Sequence, residues 1–271
     1  MRKFVCVIFL SLTLSACVSP YFLAKLGRMS GPVVIVWVGE NKFVYVPGRK
    51  DQSFAFETAT TGRVIEPGLM YTDGGSIPRL AQAFQGFSPW GYGPAYVIHD
   101  WIFYGRHCYV DRNLPGQQFY ADAARFVDVN GDSLTPEGHP RHKPISFDES
   151  ALVLAEVIKT LVDYGQVPPR NVPAELISTA VDSPFALALW NQEGACEAQR
   201  VDPRHIAIVW LRTVGRNRIP PPTWRLSDGE IQEARKHFGE AEQFIRSISP
   251  NGLRPKQGAE PPANSDLIIS Q

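Results

Sequence analysis

The chain lacks net charge and is poor in cysteine. Its 27 basic and 27 acidic residues cancel, whereas a protein that binds nucleic acid through bulk electrostatics needs a basic face. The charge balance therefore argues against a nucleic-acid partner. Only four cysteines occur, and none stands in a C-x-x-C motif or at a Cys/His spacing that suggests zinc.

The apolar run near the N-terminus, residues 4–14, is too short to cross a membrane. It has eleven residues, and a hydrocarbon core of about 30 Å needs about 20. Arg2 and Lys3 precede the run, and the small residues Ser15 and Ala16 follow it. This order of basic, apolar and small residues is typical of an export signal, which predicts a signal peptide over 1–16.

Cys17 stands directly after Leu14, Ser15 and Ala16, and this arrangement resembles the bacterial lipobox. The resemblance implies that Cys17 carries acyl chains of the palmitate type and becomes the first mature residue, so that the membrane is a partner. Val18 in place of an aspartate implies, by similarity to sorted lipoproteins, an outer-membrane protein that faces the periplasm. An ordinary signal peptide with an incidental cysteine is the alternative.

Two cysteines, Cys108 and Cys196, remain once Cys6 is removed with the signal peptide and Cys17 is acylated. An even pair in an oxidising compartment is compatible with a disulfide. Two unpaired buried thiols are the alternative, and the sequence leaves both open.

Short β-rich runs and longer helical patterns follow one another along the mature chain. The strand pattern predicts a small antiparallel sheet within 33–71, with runs at 33–38, 43–46, 54–57 and 63–66. Helices are predicted from Pro94 onward and at 117–129, 147–164, 173–190, 203–213 and 227–248. In the last of these, Ser227 and Glu230 have the spacing of a capping box.

Three motifs between residues 72 and 126 carry the chemistry. They read T-D-G-G-S-I-P-R at 72–79, V-I-H-D-W at 97–101 and A-D-A-A-R-F at 121–126. Together they resemble the phage and bacterial domain-of-unknown-function family numbered 1353 over about residues 35–130. The resemblance implies a core domain with Asp73, Ser76 and Arg79 as a supporting motif, but the family has no established activity.

These patterns together predict an α+β fold, in which a small antiparallel sheet packs on an antiparallel helix pair and a mostly helical C-terminal region follows. The predicted segments are a signal peptide at 1–16, an anchor linker at 17–31, the core domain at 32–130, a helical extension at 131–249 and a disordered tail at 250–271.

His99 and Asp100 are neighbours on one predicted helix, so their side chains point about 100° apart. Asp122 lies on the next predicted helix. If the two helices pack antiparallel, Asp122 faces His99 and orients its imidazole. Such a His–Asp dyad is what a general base requires.

The same constellation looks like the secretory phospholipases of the A-two class. That resemblance implies a phospholipid substrate. It also implies that His99 activates water and that Asp122 orients the imidazole of His99. It also implies a Ca²⁺ site with Asp100 as carboxylate ligand and backbone carbonyls from a Gly-rich loop. The candidate carbonyls are those of Gly91 and Gly93, or of Gly74 and Gly75.

Two other interpretations stay open. His139 and His142 are three residues apart, but on a predicted loop, which makes zinc the weaker choice. In the other interpretation the motif only supports folding: Asp73 and Ser76 cap a turn, Arg79 pairs with Asp100 or Asp122, and His99 is a satisfied core residue. The protein would then be a non-catalytic envelope interaction protein, so the sequence does not decide whether it is an enzyme.

Overall fold

The described part of the chain has two small antiparallel three-stranded sheets followed by eight α-helices, which confirms the predicted α+β fold. The structure is a computed structural model. It describes residues 19–39, 42–72, 91–111, 145–167, 171–248 and 268–270.

Both sheets are built from strands of two to six residues. The strands are β1 (Arg28–Ser30), β2 (Val34–Gly39), β3 (Lys42–Tyr45), β4 (Ala55–Glu57), β5 (Val64–Ile65), β6 (Met70–Thr72) and β7 (Ile268–Ser270). The first sheet has the order β1-β4-β5 and the second β6-β3-β2, with β7 added in parallel beside β2. The four runs that the sequence predicted as strands correspond to β2, β3, β4 and β5.

A short helix, α1 (Pro20–Leu23), precedes the sheets, and the eight others follow them. These are α2 (Gly93–Asp111), α3 (Phe147–Asp163), α4 (Asn171–Val181), α5 (Pro184–Trp190), α6 (Cys196–Gln199), α7 (Pro203–Thr213), α8 (Asp228–Lys236) and α9 (Phe238–Ile248). None of the helices in the described ranges is long and apolar enough to cross a membrane.

The second sheet has helices on both faces. Successive side chains of a strand point to opposite sides, so each face contributes to a different core. Ile35, Tyr45 and Met70 lie opposite one another across β2, β3 and β6, and they share one core with the buried side of α2. The neighbouring row, Val36 and Val44, belongs to a second core formed with α7, α8 and α9. The sheet therefore separates two cores and positions α2 on one of its faces.

Two predicted helices are each split in the structure, so their single-helix predictions are wrong. The segment 173–190 breaks before Pro184, where Ser183 accepts a hydrogen bond from Ala186 N (3.2 Å) and begins α5. The segment 227–248 breaks at His237 between α8 and α9. The capping box of Ser227 and Glu230 at the start of α8 is confirmed.

Both ends of the described chain contain regular secondary structure. The segment 17–31, predicted as a linker, contains α1 and β1, and its Tyr21 and Ala24 are buried. Ile268–Ser270, within the predicted disordered tail, pairs with β2.

Candidate functional site

The site predicted from the sequence is centred on α2, where His99 and Asp100 lie about two turns from the N-terminal end. Thr72 ends strand β6 two residues after Met70, so the two side chains point to the same face of the sheet, toward α2. Thr72 Oγ1 donates a hydrogen bond to Asp100 Oδ2 at 2.7 Å. This contact joins the beginning of the first motif to the His-Asp pair.

The side chain of His99 lies on a different face of α2 from that of Asp100. Its ring lies 4.5 Å from the ring of Phe103, which in turn contacts the indole of Trp190 at 5.0 Å. His107 continues the same row one turn later, and its ring nitrogens bond Gln199 Oε1 and the carbonyl of Leu189, both at 2.7 Å. The row therefore runs from the site to α5 and α6.

The imidazole of His99 is held in a largely apolar environment. Its Nε2 atom is buried and has no hydrogen-bond partner among the described residues, although the residue as a whole keeps part of its surface exposed. Burial lowers the pKa of His99 from its ordinary 6.5 to about 4, because the charged form is poorly solvated there. The ring is therefore neutral at neutral pH.

This low pKa predicts a loss of stability in acid. In the unfolded chain His99 is protonated below about pH 6.5. In the folded chain its pKa is about 4, so the ring is protonated only near that pH. The free energy of unfolding should therefore fall by about 3 kcal/mol between these pH values, at about 1.4 kcal/mol per pKa unit. Urea unfolding at pH 7 and pH 4 measures this loss, which His99→Phe should reduce.

The matched control is His237→Gln, since His237 lies at the surface beside Glu233 and Glu240. Between pH 7 and pH 4, the free energy of unfolding of the His237→Gln variant should fall by as much as that of the wild type. Equal acid losses in His99→Phe and the wild type would contradict the apolar environment of His99.

Two of the calcium ligands expected from the sequence lie on the same helix. Gly93 and Asp100 lie seven residues apart in α2, about 10 Å along its axis, and Gly91 precedes the helix. No group of three His, Cys, Asp or Glu side chains suited to a metal occurs in the described ranges.

Several predicted site residues lie outside the described residues. These are Cys17, Asp73, Gly74, Gly75, Ser76, Arg79, Asp122, His139 and His142. The His99–Asp122 dyad, the lipid anchor, the calcium site and the zinc alternative therefore stay predictions.

The far end of α2 is covalently joined to α6. Cys108 and Cys196 form a disulfide with their Cα atoms 4.6 Å apart, the pairing that the sequence left open. Asp111, fully buried, reinforces the junction by accepting hydrogen bonds from Gly194 N (2.8 Å) and Cys196 N (2.9 Å). The helix that carries His99 is thus fixed at its C-terminal end.

A second polar cluster, which the sequence did not predict, lies on the opposite face of β6. Tyr71 OH is 2.6 Å from His205 Nδ1 and accepts a hydrogen bond from Asp202 N (3.0 Å). Burial lowers the pKa of His205 and raises the pKa of Tyr71, so the phenol donates to a neutral ring. Because side chains alternate along a strand, the position of Tyr71 between Met70 and Thr72 was the available signal.

Comparison with known proteins gives no further guide to function. The chain matches no family model, no curated protein and no solved structure. The resemblances carried by its motifs therefore stay predictions. The functional argument rests on the geometry around His99.

Proposed function

We propose that the protein is an envelope lipoprotein whose helix α2 carries a hydrolytic site for ester bonds, with His99 as general base. The observation that carries the proposal is the state of His99. Its ring is neutral, and its buried Nε2 has no hydrogen-bond partner among the described residues.

A buried N–H without a partner costs about 1–3 kcal/mol, so Nε2 is where a carboxylate partner fits. Asp122 is the partner that the sequence supplies. In the proposed dyad, Asp122 accepts the Nε2 proton and leaves Nδ1 as the base. The neutral ring can accept a proton at Nδ1, as a general base must.

The reaction follows from these roles. Nδ1 takes a proton from water, and the water oxygen attacks the carbonyl carbon of the ester. The C–O bond to the leaving group then breaks, and the imidazolium returns its proton to the departing alkoxide. The scheme assigns no step to calcium, and the Ca²⁺ site with Asp100 as a ligand stays a separate prediction.

The substrate class follows from the predicted anchor. Acyl chains on Cys17 would keep the protein at a membrane surface, where phospholipid esters are abundant. Asp100, bonded to Thr72, then has a positioning role that holds the strand end against α2.

Release of fatty acid from phospholipid vesicles by the mature protein tests the proposal. We expect release to persist in EDTA. Release that needs calcium would show that ligands beyond the described residues complete a metal site. No release with or without calcium would contradict the hydrolase.

The second candidate is a non-catalytic envelope interaction protein. Exposed apolar side chains on α5 favour it, since Phe185 is 70% and Leu187 42% exposed and such groups can mark interaction sites. This candidate predicts no hydrolysis under any metal condition and no functional consequence of changing His99 beyond stability.

A further inference from the structure

Three large apolar side chains are exposed within five consecutive residues at the beginning of the described chain. Phe22 is 60%, Leu23 63% and Leu26 51% exposed. We refer to these three residues as the amino-terminal apolar patch. Their neighbours Tyr21 and Ala24 are buried, at 7% and 5%, so the segment has one side in the core and one side toward solvent.

The segment that carries the patch is fixed to helix α3. Lys159 Nζ donates a hydrogen bond to the carbonyl of Ala24 (2.7 Å) and lies 5.4 Å from the ring centre of Tyr21. Gly27 N donates to Thr160 Oγ1 at 3.0 Å. The inward residues are therefore held firmly, which keeps the patch residues turned outward.

The position of the patch in the chain indicates what covers it. Phe22 is five residues after Cys17, at most about 18 Å of fully extended chain. An acylated Cys17 would thus hold the patch at the lipid surface. Lys25 is exposed within the patch segment, and its positive charge suits the phosphates of lipid headgroups.

We infer that the amino-terminal apolar patch docks on the surface of the membrane that holds the lipid anchor, with Phe22, Leu23 and Leu26 at the boundary of headgroups and acyl chains. This inference rests on the proposed anchor at Cys17. Apolar side chains in this region bind reversibly and add to the affinity of acyl chains. Docking through a rigid segment also gives the domain a defined orientation on the bilayer.

The test uses the mature chain, residues 17–271, with Cys17→Ser, which cannot be acylated. Its binding to vesicles of phosphatidylethanolamine and phosphatidylglycerol is measured by flotation. Adding Phe22→Ser, Leu23→Ser and Leu26→Ser should lower the partition coefficient at least about tenfold. The control is Val64→Ser and Ile219→Ser, which removes side chains that are 52% and 70% exposed elsewhere and should change it little.

Each outcome decides the inference. No vesicle binding by the Cys17→Ser chain with its patch intact overturns it, as does an equal loss in the control. A dimer in solution that the patch variant converts to a monomer shows a second copy as the occupant and also overturns it. Far-ultraviolet circular dichroism confirms that both variants are folded.

The anchor itself is tested separately by mass spectrometry of the N-terminal peptide from the native membrane protein. An unmodified Cys17 contradicts the lipid anchor, whatever the vesicle result. Acylated Cys17 together with no vesicle binding contradicts only the docking surface.

Discussion

Replacing His99 with alanine is expected to lower the rate of fatty-acid release by about 10²–10⁴-fold, the usual contribution of a general base. In the proposed reaction the imidazole takes the proton of the attacking water, and alanine cannot replace it. Release from phospholipid vesicles at saturating lipid measures the change. Because the effect is on the chemical step, kcat should fall while KM changes little.

The alanine variant also removes the ring that packs 4.5 Å from Phe103, so its stability must be measured beside its activity. His99→Gln keeps more of the volume and should lose activity to the same extent. His237→Ala at the surface is the matched control and should retain the wild-type rate. Full activity in a folded His99→Gln variant would contradict the role of His99 as base.

Removing the disulfide is expected to destabilise the fold by about 4 kcal/mol. Cys108 and Cys196 are 88 residues apart in sequence, and in the chain-entropy treatment a loop of about this length gives between 4 and 5 kcal/mol. Both cysteines are fully buried. Urea unfolding of a variant with Cys108→Ala and Cys196→Ala measures the loss.

The double substitution leaves no odd thiol and keeps the carboxylate of Asp111, which accepts hydrogen bonds from Gly194 N and Cys196 N. The junction of α2 and α6 therefore keeps its backbone contacts, and the loss reports mainly the cross-link. Wild-type protein unfolded in a reducing agent should show a similar loss. A loss below about 1 kcal/mol would mean that the disulfide contributes little to the fold.

The sequence by itself was sufficient for the secondary structure wherever a local pattern is strong. The four β-rich runs correspond to strands β2 to β5, and the capping box of Ser227 and Glu230 begins α8. These signals lie within a few neighbouring residues, because the periods of strands and helices and the chemistry of caps are local. The splits before Pro184 and at His237 were missed because the apolar pattern continues across both breaks.

Part of the candidate site also came from the sequence, which placed His99 and Asp100 on one helix, about 100° apart. The structure agrees, since Asp100 contacts Thr72 whereas His99 packs beside Phe103. Gly93, an expected calcium ligand, belongs to the same helix as Asp100 and lies about two turns away, and the calcium site stays a prediction.

Only the tertiary structure decided which distant residues meet. Thr72 and Asp100 are 28 positions apart and Tyr71 and His205 are 134 apart, yet Tyr71 and Thr72 are neighbours that contact opposite cores. Alternation along a strand predicts that they face opposite ways, but what each one faces depends on which helices pack on the sheet. The low pKa of His99 has the same origin, since burial depends on the packing around the ring and not on the residues beside it in sequence.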